Sequence, residues 1–307
     1  MLQIAALRAL IPDLPTGRGR RSPDFVPPPL QTPPTRRADK SHVPEGGKKR
    51  YRTVFLSDIH LGTRGCRAEE LLDFLRHVRA DRIYLVGDIV DGWRLKKSWY
   101  WPKSHNHVVR KLLKRAAKGT EIVYIPGNHD EAFRDYVGHD FAGIRLVADA
   151  IHEAADGKRY WVLHGDAFDG IVLYARWLAF LGDAAYVLLL SLNTGLNRIR
   201  RRIGLPYWSL SAWLKHKTKK AVEFMSRFED AIAREAEARG VDGVICGHIH
   251  HAETRMIGNV LYCNDGDWVE SCTALVEHFD GRMEVLRWAE EIRKRKAATL
   301  AAQEVTA

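Results

Sequence analysis

Leu56-Ser57-Asp58-Ile59-His60-Leu61-Gly62 is the stretch whose reading decides the fold. The apolar run Thr53-Val54-Phe55-Leu56 leads into it, and it ends in a carboxylate and an imidazole two residues apart. An extended backbone puts residues i and i+2 on one side, so Asp58 and His60 are expected to reach a common point just beyond a strand. Open α/β sheets hold their ligands at that carboxyl edge.

The same grammar recurs four more times. Tyr84-Leu85-Val86 runs into Gly87-Asp88, and Ile122-Val123-Tyr124-Ile125-Pro126 into Gly127-Asn128-His129-Asp130. Trp161-Val162-Leu163 runs into His164-Gly165-Asp166, and Gly243-Val244-Ile245-Cys246 into Gly247-His248-Ile249-His250. Any one polar strand end is an ordinary turn. Five in this order gather imidazole, carboxylate and amide groups at strand ends. Divalent cations of hard or borderline character take that mixture, and a pair of them needs about seven groups. Asp58, His60, Asp88, Asn128, His164, His248 and His250 supply such a set.

The motif order Asp-x-His, Gly-Asp, Gly-Asn-His-Asp, His and Gly-His-x-His resembles the calcineurin-like metallophosphoesterase superfamily, over residues 50 to 290. Within it, the segments around Asp58 and His164 are most similar to the UDP-2,3-diacylglucosamine pyrophosphatases of lipid A synthesis. Those enzymes more often carry Arg after the Asn, where this chain keeps the broader form with His129. The resemblance implies an α/β fold, a four-layer αββα sandwich with a helical cap insertion, and two divalent metal ions, manganese by preference. By the superfamily pattern Asp58, His60 and His250 would hold one ion and Asn128, His164 and His248 the other, with Asp88 bridging. His129 would stabilise transition-state charge or protonate the leaving group, oriented by Asp58 or Asp88, and Asp130 would be a supporting or turn residue.

The implied reaction cleaves the pyrophosphate of a UDP-linked diacylated glucosamine to UMP and diacylglucosamine 1-phosphate. A metallophosphodiesterase or phosphatase acting on a soluble nucleotide or other phosphoester stays open as the alternative. A non-enzymatic scaffold on this fold is disfavoured, because such a chain is expected to have lost ligands.

The 307 residues, 46% of them hydrophobic, suffice for one catalytic domain with an insertion. A net charge of +10 favours anionic partners: a phosphorylated substrate, an anionic membrane surface or nucleic acid. Cys66, Cys246, Cys263 and Cys272 form no C-x-x-C pair, which points to a reduced, cytoplasmic compartment. Met1 to Leu10 is too short for a signal peptide and lacks a cleavage pattern.

Residues 1–50, rich in proline and arginine, read as a disordered basic tail. Residues 51–290 form the catalytic domain, and 291–307 a charged tail. Leu71, Leu72, Leu75 and Val78 predict a helix over Glu69 to Arg79, followed by a strand from Arg82 to Val86. Asn106 to Ala117 repeats the helical spacing, with His105 and His107 as polar residues at its start. Trp93 and Trp99, on the loop after Asp88, are candidates to stack on a base or sugar of the substrate.

The βα rhythm breaks after His164, and a cap is expected over 168–239. Its apolar stretch Ile171 to Leu196 is followed by basic Arg198 to Arg202, with Arg176 and Leu189 as substrate-contact candidates. Trp177 to Leu196 has marginal length for a membrane span, yet a span would separate His164 from His248, and Asp183 lies within it. An apolar cap with a basic rim fits peripheral contact with an anionic inner-membrane surface and disfavours nucleic acid. Val260 to Cys263, Ala274 to Phe279 and Arg282 to Trp288, joined by turns, predict an antiparallel meander closing a second sheet.

Overall fold

Alternation along the central strands builds the layers. In the computed structural model, which describes residues 49–168 and 228–306, β1 (Lys49–Leu56) and β2 (Val78–Val86) pair in parallel, and β2 pairs in parallel with β3 (Glu121–Ile125). The short β4 (Asp140–Phe141) and β5 (Ile144–Leu146) extend this sheet beyond β3. On the other side β11 (Thr273–Glu277) lies antiparallel to β1, with β12 (Met283–Arg287) outside it, giving seven strands.

A second sheet of five strands has the order β6 (Ala150–Glu153), β7 (Arg159–Val162), β8 (Gly243–Cys246), β10 (Val260–Asn264) and β9 (Glu253–Ile257). Its three central strands are parallel. In both sheets the parallel strands therefore bring their carboxyl ends together.

Val54, Leu56, Ile83, Leu85 and Ile122 point to one face and pack against α1 (Ala68–His77) and α3 (Lys103–Ala116) through Leu71, Leu75, Val108 and Leu112. Burial of each such side chain stabilises the fold by roughly 1.5–3 kcal/mol. The intervening residues point the other way: Phe55 stacks on Tyr84 at 5.0 Å, and both rings meet His152 of β6 at 5.3 and 5.5 Å. The second sheet closes this face. On its far side Phe228, Ile232 and Ala236 of α4 (residues 228–238) pack with Trp161, Val244 and Tyr262. The architecture is a four-layer αββα sandwich.

Glu277 joins the sheets. Fully buried, it accepts from Thr53 Oγ1 (2.7 Å), Arg52 Nη1 (2.5 Å), His152 Nε2 (2.9 Å) and the Ala155 backbone N–H (2.8 Å). Burial works to raise its pKa, yet the bonds from His152 and Thr53 hold the carboxyl below its usual range.

Several boundaries differ from expectation, each for a local reason. α1 stops at His77 because Val78, Arg79 and Ala80 pair with Lys49, Arg50 and Tyr51, and the buried Arg115 guanidinium takes the carbonyls of Leu75 and Val78. β1 likewise begins at Lys49, inside the expected tail. The charged segment after residue 290 lies within helix α5 (Trp288–Thr306). Trp288 is buried edge-on against Phe74 and donates to Asp73, and Lys49 pairs with Glu291 at 2.8 Å. The expected meander is split: β10 lies parallel to β8, while β11 and β12 belong to the other sheet.

The tail before Lys49 and the cap over residues 169–227, with Arg176, Leu189, the basic run and the segment weighed as a span, lie outside the described residues. Among the described residues no helix is long and apolar enough to cross a membrane.

Candidate metal centre

The convergence of Asp58 and His60 does not come from extended backbone. β1 ends at Leu56, and beyond it Asp58 and His60 have φ of 48° and 52°; Asp88, His248 and His250 have 53°, 71° and 55°. Left-handed backbone at a non-glycine residue costs on the order of 1–3 kcal/mol and persists where surrounding bonds over-determine it. Here Asp58 N–H donates to Gly87 O (3.1 Å), His60 N–H to Asp88 O (2.9 Å) and His248 N–H to Asp58 Oδ2 (2.7 Å). These turns aim all five side chains inward.

Asp88 is the hub. Its Oδ1 lies 3.4 Å from His164 Nε2, and its Oδ2 lies 3.7 Å from His60 Nε2 and 3.9 Å from His129 Nε2. Asp58 Oδ1 stands 2.8 Å from His250 Nε2 and 3.7 Å from His60 Nε2. Three overlapping groups result, each with its ligand atoms within 4.8 Å of one another: Asp58, His60 and His250; His60, Asp88 and His129; Asp88, His164 and His248. Asn128 sits between two residues that touch Asp88. A Cβ on Gly127 would fall 2.4 Å from Asp88 Oδ1, which requires glycine there, and His129 N–H donates to the same oxygen at 2.8 Å.

The residues fit cations. Buried polar atoms in proteins are normally paired, yet His60 Nε2, Asp88 Oδ2, Asn128 Oδ1 and His164 Nε2 are buried without a hydrogen-bond partner. The other ring nitrogens of these two imidazoles are engaged, His164 Nδ1 with Val86 O (2.8 Å) and His60 Nδ1 with Asp91 Oδ2 (3.2 Å). That arrangement frees Nε2 for a metal. The electrostatics agree. Burial disfavours charge on His60 and His164, but Asp58 and Asp91 lift the first to about 9 and Asp88 lifts the second to about 10. Buried Asp58, beside His250 and His60, is held well below the usual carboxylate range despite its burial. The pocket favours positive charge.

The orienting carboxylate for His129 is Asp91, not Asp58 or Asp88: Asp91 Oδ2 lies 3.0 Å from His129 Nδ1. Asp91 also caps the start of α2 (Gly92–Lys97), accepting from Arg94 N–H at 2.8 Å. Asp130 braces the turns, accepting from Ile89 N–H (2.8 Å), Gly127 N–H (2.5 Å) and the Tyr124 hydroxyl. A further support is Ser57, whose hydroxyl lies 2.8 Å from Asp58 Oδ2 and 2.5 Å from buried Asp265 Oδ1.

Trp93 packs on the His129 ring at 4.3 Å and donates from Nε1 to Glu131 Oε1 (3.2 Å), with 41% of its surface exposed. Trp99 instead stacks on Trp101 at 6.2 Å. His105 is buried and accepts from Gly62 N–H at 3.0 Å, steadying the loop after His60.

Known proteins are similar to this chain. Curated proteins named UDP-2,3-diacylglucosamine hydrolase are similar to the chain. That of Azotobacter vinelandii is 27% identical over 205 residues, covering 64% of this chain and 81% of that protein. That of Chromohalobacter salexigens is 29% identical over 214 residues, covering 64% and 79%. That of Neisseria meningitidis serogroup B is 28% identical over 240 residues, covering 70% and 88%. The family model described as calcineurin-like phosphoesterase matches residues 51–252, a span that contains every strand-end turn of the cluster. With the family's divalent-metal chemistry matched by the His and Asp groups between the two sheets, the chain belongs to the calcineurin-like phosphoesterases.

Proposed function

We propose that the chain is a dinuclear-metal hydrolase that cleaves the pyrophosphate of a UDP-linked diacylated glucosamine, giving UMP and diacylglucosamine 1-phosphate. The observation that carries the hydrolase reading is the position of Asp88, whose two oxygens face His164 on one side and His60 on the other. In this reading Asp58, His60 and His250 hold one ion, Asn128, His164 and His248 hold the other, and Asp88 is shared. Manganese suits the mixed imidazole and oxygen donors. Two such ions, when bound, supply Lewis-acid polarisation of the phosphate and activation of water.

The chain's own residues do the rest. Asp91 holds His129 through Nδ1, so that Nε2 faces Asp88 Oδ2 at 3.9 Å. From there His129 stabilises charge on the reacting phosphate or hands a proton to the departing oxygen. Trp93 covers one face of the same imidazole, so a sugar ring leaving past His129 would lie against the exposed indole.

The names of the similar proteins support the lipid substrate. So does the apolar stretch Ile171 to Leu196, in which Leu189 would contact acyl chains, with Arg176 and Trp99 as further substrate contacts. The basic run Arg198 to Arg202 supports a peripheral position at the inner membrane. The competing reading is a phosphodiesterase acting on a soluble phosphoester. Assaying the manganese-loaded protein with the UDP-diacyl sugar, its deacylated analogue, bis-p-nitrophenyl phosphate and single-stranded DNA decides between them. The lipid reading expects the diacyl compound to lead by orders of magnitude in kcat/KM, since each buried methylene contributes about 0.8 kcal/mol. Equal rates for the diacyl and deacylated compounds would leave the soluble phosphodiesterase.

A further inference from the structure

Two short turns follow strand ends of the cluster. Glu131–Tyr136 follows Asn128-His129-Asp130 at the end of β3, and Asp166–Phe168 follows His164-Gly165 at the end of β7. The first belongs to the seven-stranded sheet and the second to the five-stranded sheet. An ion pair crosses from turn to turn: Arg134 Nη2 to Asp166 Oδ2. The arginine side chain is 48% exposed and the aspartate 12%.

We infer that Arg134 binds the second phosphate of a diphosphate substrate, exchanging Asp166 for it. The inference rests on the hydrolase reading and adds to it the subsite for the non-reacting phosphate. A phosphate held for attack between Asp88, His60 and His164 has its neighbour one bridging oxygen away. That neighbour carries negative charge and cannot lie among the carboxylates of Asp58 and Asp88. Arg134 offers a planar fork of donors, paired with a carboxylate on the turn that follows His164. Asp166 itself stands two residues after His164. One nitrogen is occupied by Asp166 and the half-exposed remainder faces water. With its arginine half-exposed, the pair is a single contact that solvent screens, whereas guanidinium to phosphate is a bidentate, charge-assisted contact. The exchange therefore runs toward the phosphate, and Asp166 holds the arginine beside the turn after His164 until substrate arrives.

The competing role for the pair is a latch joining the two turns, and the two roles separate experimentally. The manganese-loaded full chain and its Arg134→Ala, Arg134→Lys and Asp166→Asn variants are assayed with the UDP-diacyl sugar and with bis-p-nitrophenyl phosphate, which has one phosphorus. Arg134→Ala is expected to raise KM for the diphosphate by on the order of 10-fold or more relative to its effect on the monophosphate diester, the size of a charged hydrogen bond. Arg134→Lys should recover part of that loss, and Asp166→Asn should leave the diphosphate KM unchanged or lower. If Arg134→Ala and Asp166→Asn instead lose activity on both substrates alike, with matching falls in Tm, the pair is a latch and the inference fails. Should wild type cleave the monophosphate diester and no diphosphate, the substrate reading has failed on its own. Inhibition of diester hydrolysis then decides Arg134: Arg134→Ala must weaken inhibition by inorganic pyrophosphate more than by inorganic phosphate, and equal weakening refutes it.

Discussion

Asp91 Oδ2 stands 3.0 Å from His129 Nδ1, and the same oxygen lies 3.2 Å from His60 Nδ1. One carboxylate therefore orients both a proposed ligand, His60, and the proposed acid, His129, and turns each Nε2 toward Asp88, at 3.7 and 3.9 Å. His129→Ala should lose on the order of 10² to 10⁴ in kcat while its metal content, read by inductively coupled plasma mass spectrometry, stays at the wild-type level. Asp91→Asn should lose turnover and also weaken metal binding by about 10- to 100-fold, because it removes the partner of a ligating imidazole. Unchanged turnover in His129→Ala would take that residue out of the chemistry.

Asp88 contributes one oxygen to each side of the cluster, so its removal should act on both proposed sites. Asp88→Ala is expected to release or misplace both ions. His60→Ala should lower the content by one, leaving the group around His164 in place. Native mass spectrometry counts the ions directly, and wild-type content in both variants would refute the two-metal assignment.

The strand-end grammar was legible because an apolar run followed by Asp, Asn or His is unusual enough to register five times. The geometry beneath it was not. Asp58 and His60 converge through left-handed turns, which a period-two argument cannot foresee. Asp91 was hidden behind its second role as an N-cap, and Asp265 reaches Ser57 from 208 residues away. The split of the expected meander follows from residues 265–272, which carry the chain from β10 in one sheet to β11 in the other. Helix α5 looks like a solvated tail because its anchors are few, with Trp288, Ala289 and Ile292 packed on the core and Glu290, Arg293 and Lys294 between and after them.

Glu277 gives a prediction on stability. Its carboxylate is fully buried and takes four hydrogen bonds from both sheets, so Glu277→Ala leaves His152, Thr53 and the Ala155 N–H without their acceptor. Breaking a buried pair of this kind costs about 3–5 kcal/mol, measurable by urea unfolding near neutral pH. The pH dependence has a definite sign. The folded pKa of Glu277 lies below its ordinary 4.5, so its contribution is present above 4.5 and is lost as pH falls through the folded value. Burial lowers the pKa of His152 from 6.5, so acid also removes stability there, as the unfolded chain takes up the proton first. The gap between wild type and Glu277→Gln should therefore be widest above pH 4.5 and narrow in acid. A gap independent of pH would mean that folding does not shift the pKa of Glu277.

Metal loading should be read most directly in protons. Without a cation, carboxylate neighbours lift His60 to about 9 and His164 to about 10, so both imidazoles are protonated near neutral pH. A ligating imidazole must be neutral, and a cation entering either group has to displace that proton. Titrating manganese into metal-free protein near neutral pH, in two buffers of different ionisation enthalpy, should show release of about two protons per filled pair of sites. Apparent affinity should rise with pH until it passes about 9 for His60 and about 10 for His164. The metal-free protein should move the opposite way. Raised pKa values contribute stability that is complete below the ordinary 6.5 and is lost as pH climbs through 9 and 10, so alkali should lower its Tm while the loaded form holds. His60→Ala and His164→Ala should each remove about one proton from the release. Binding with no proton release in wild type would show that manganese enters somewhere other than this cluster.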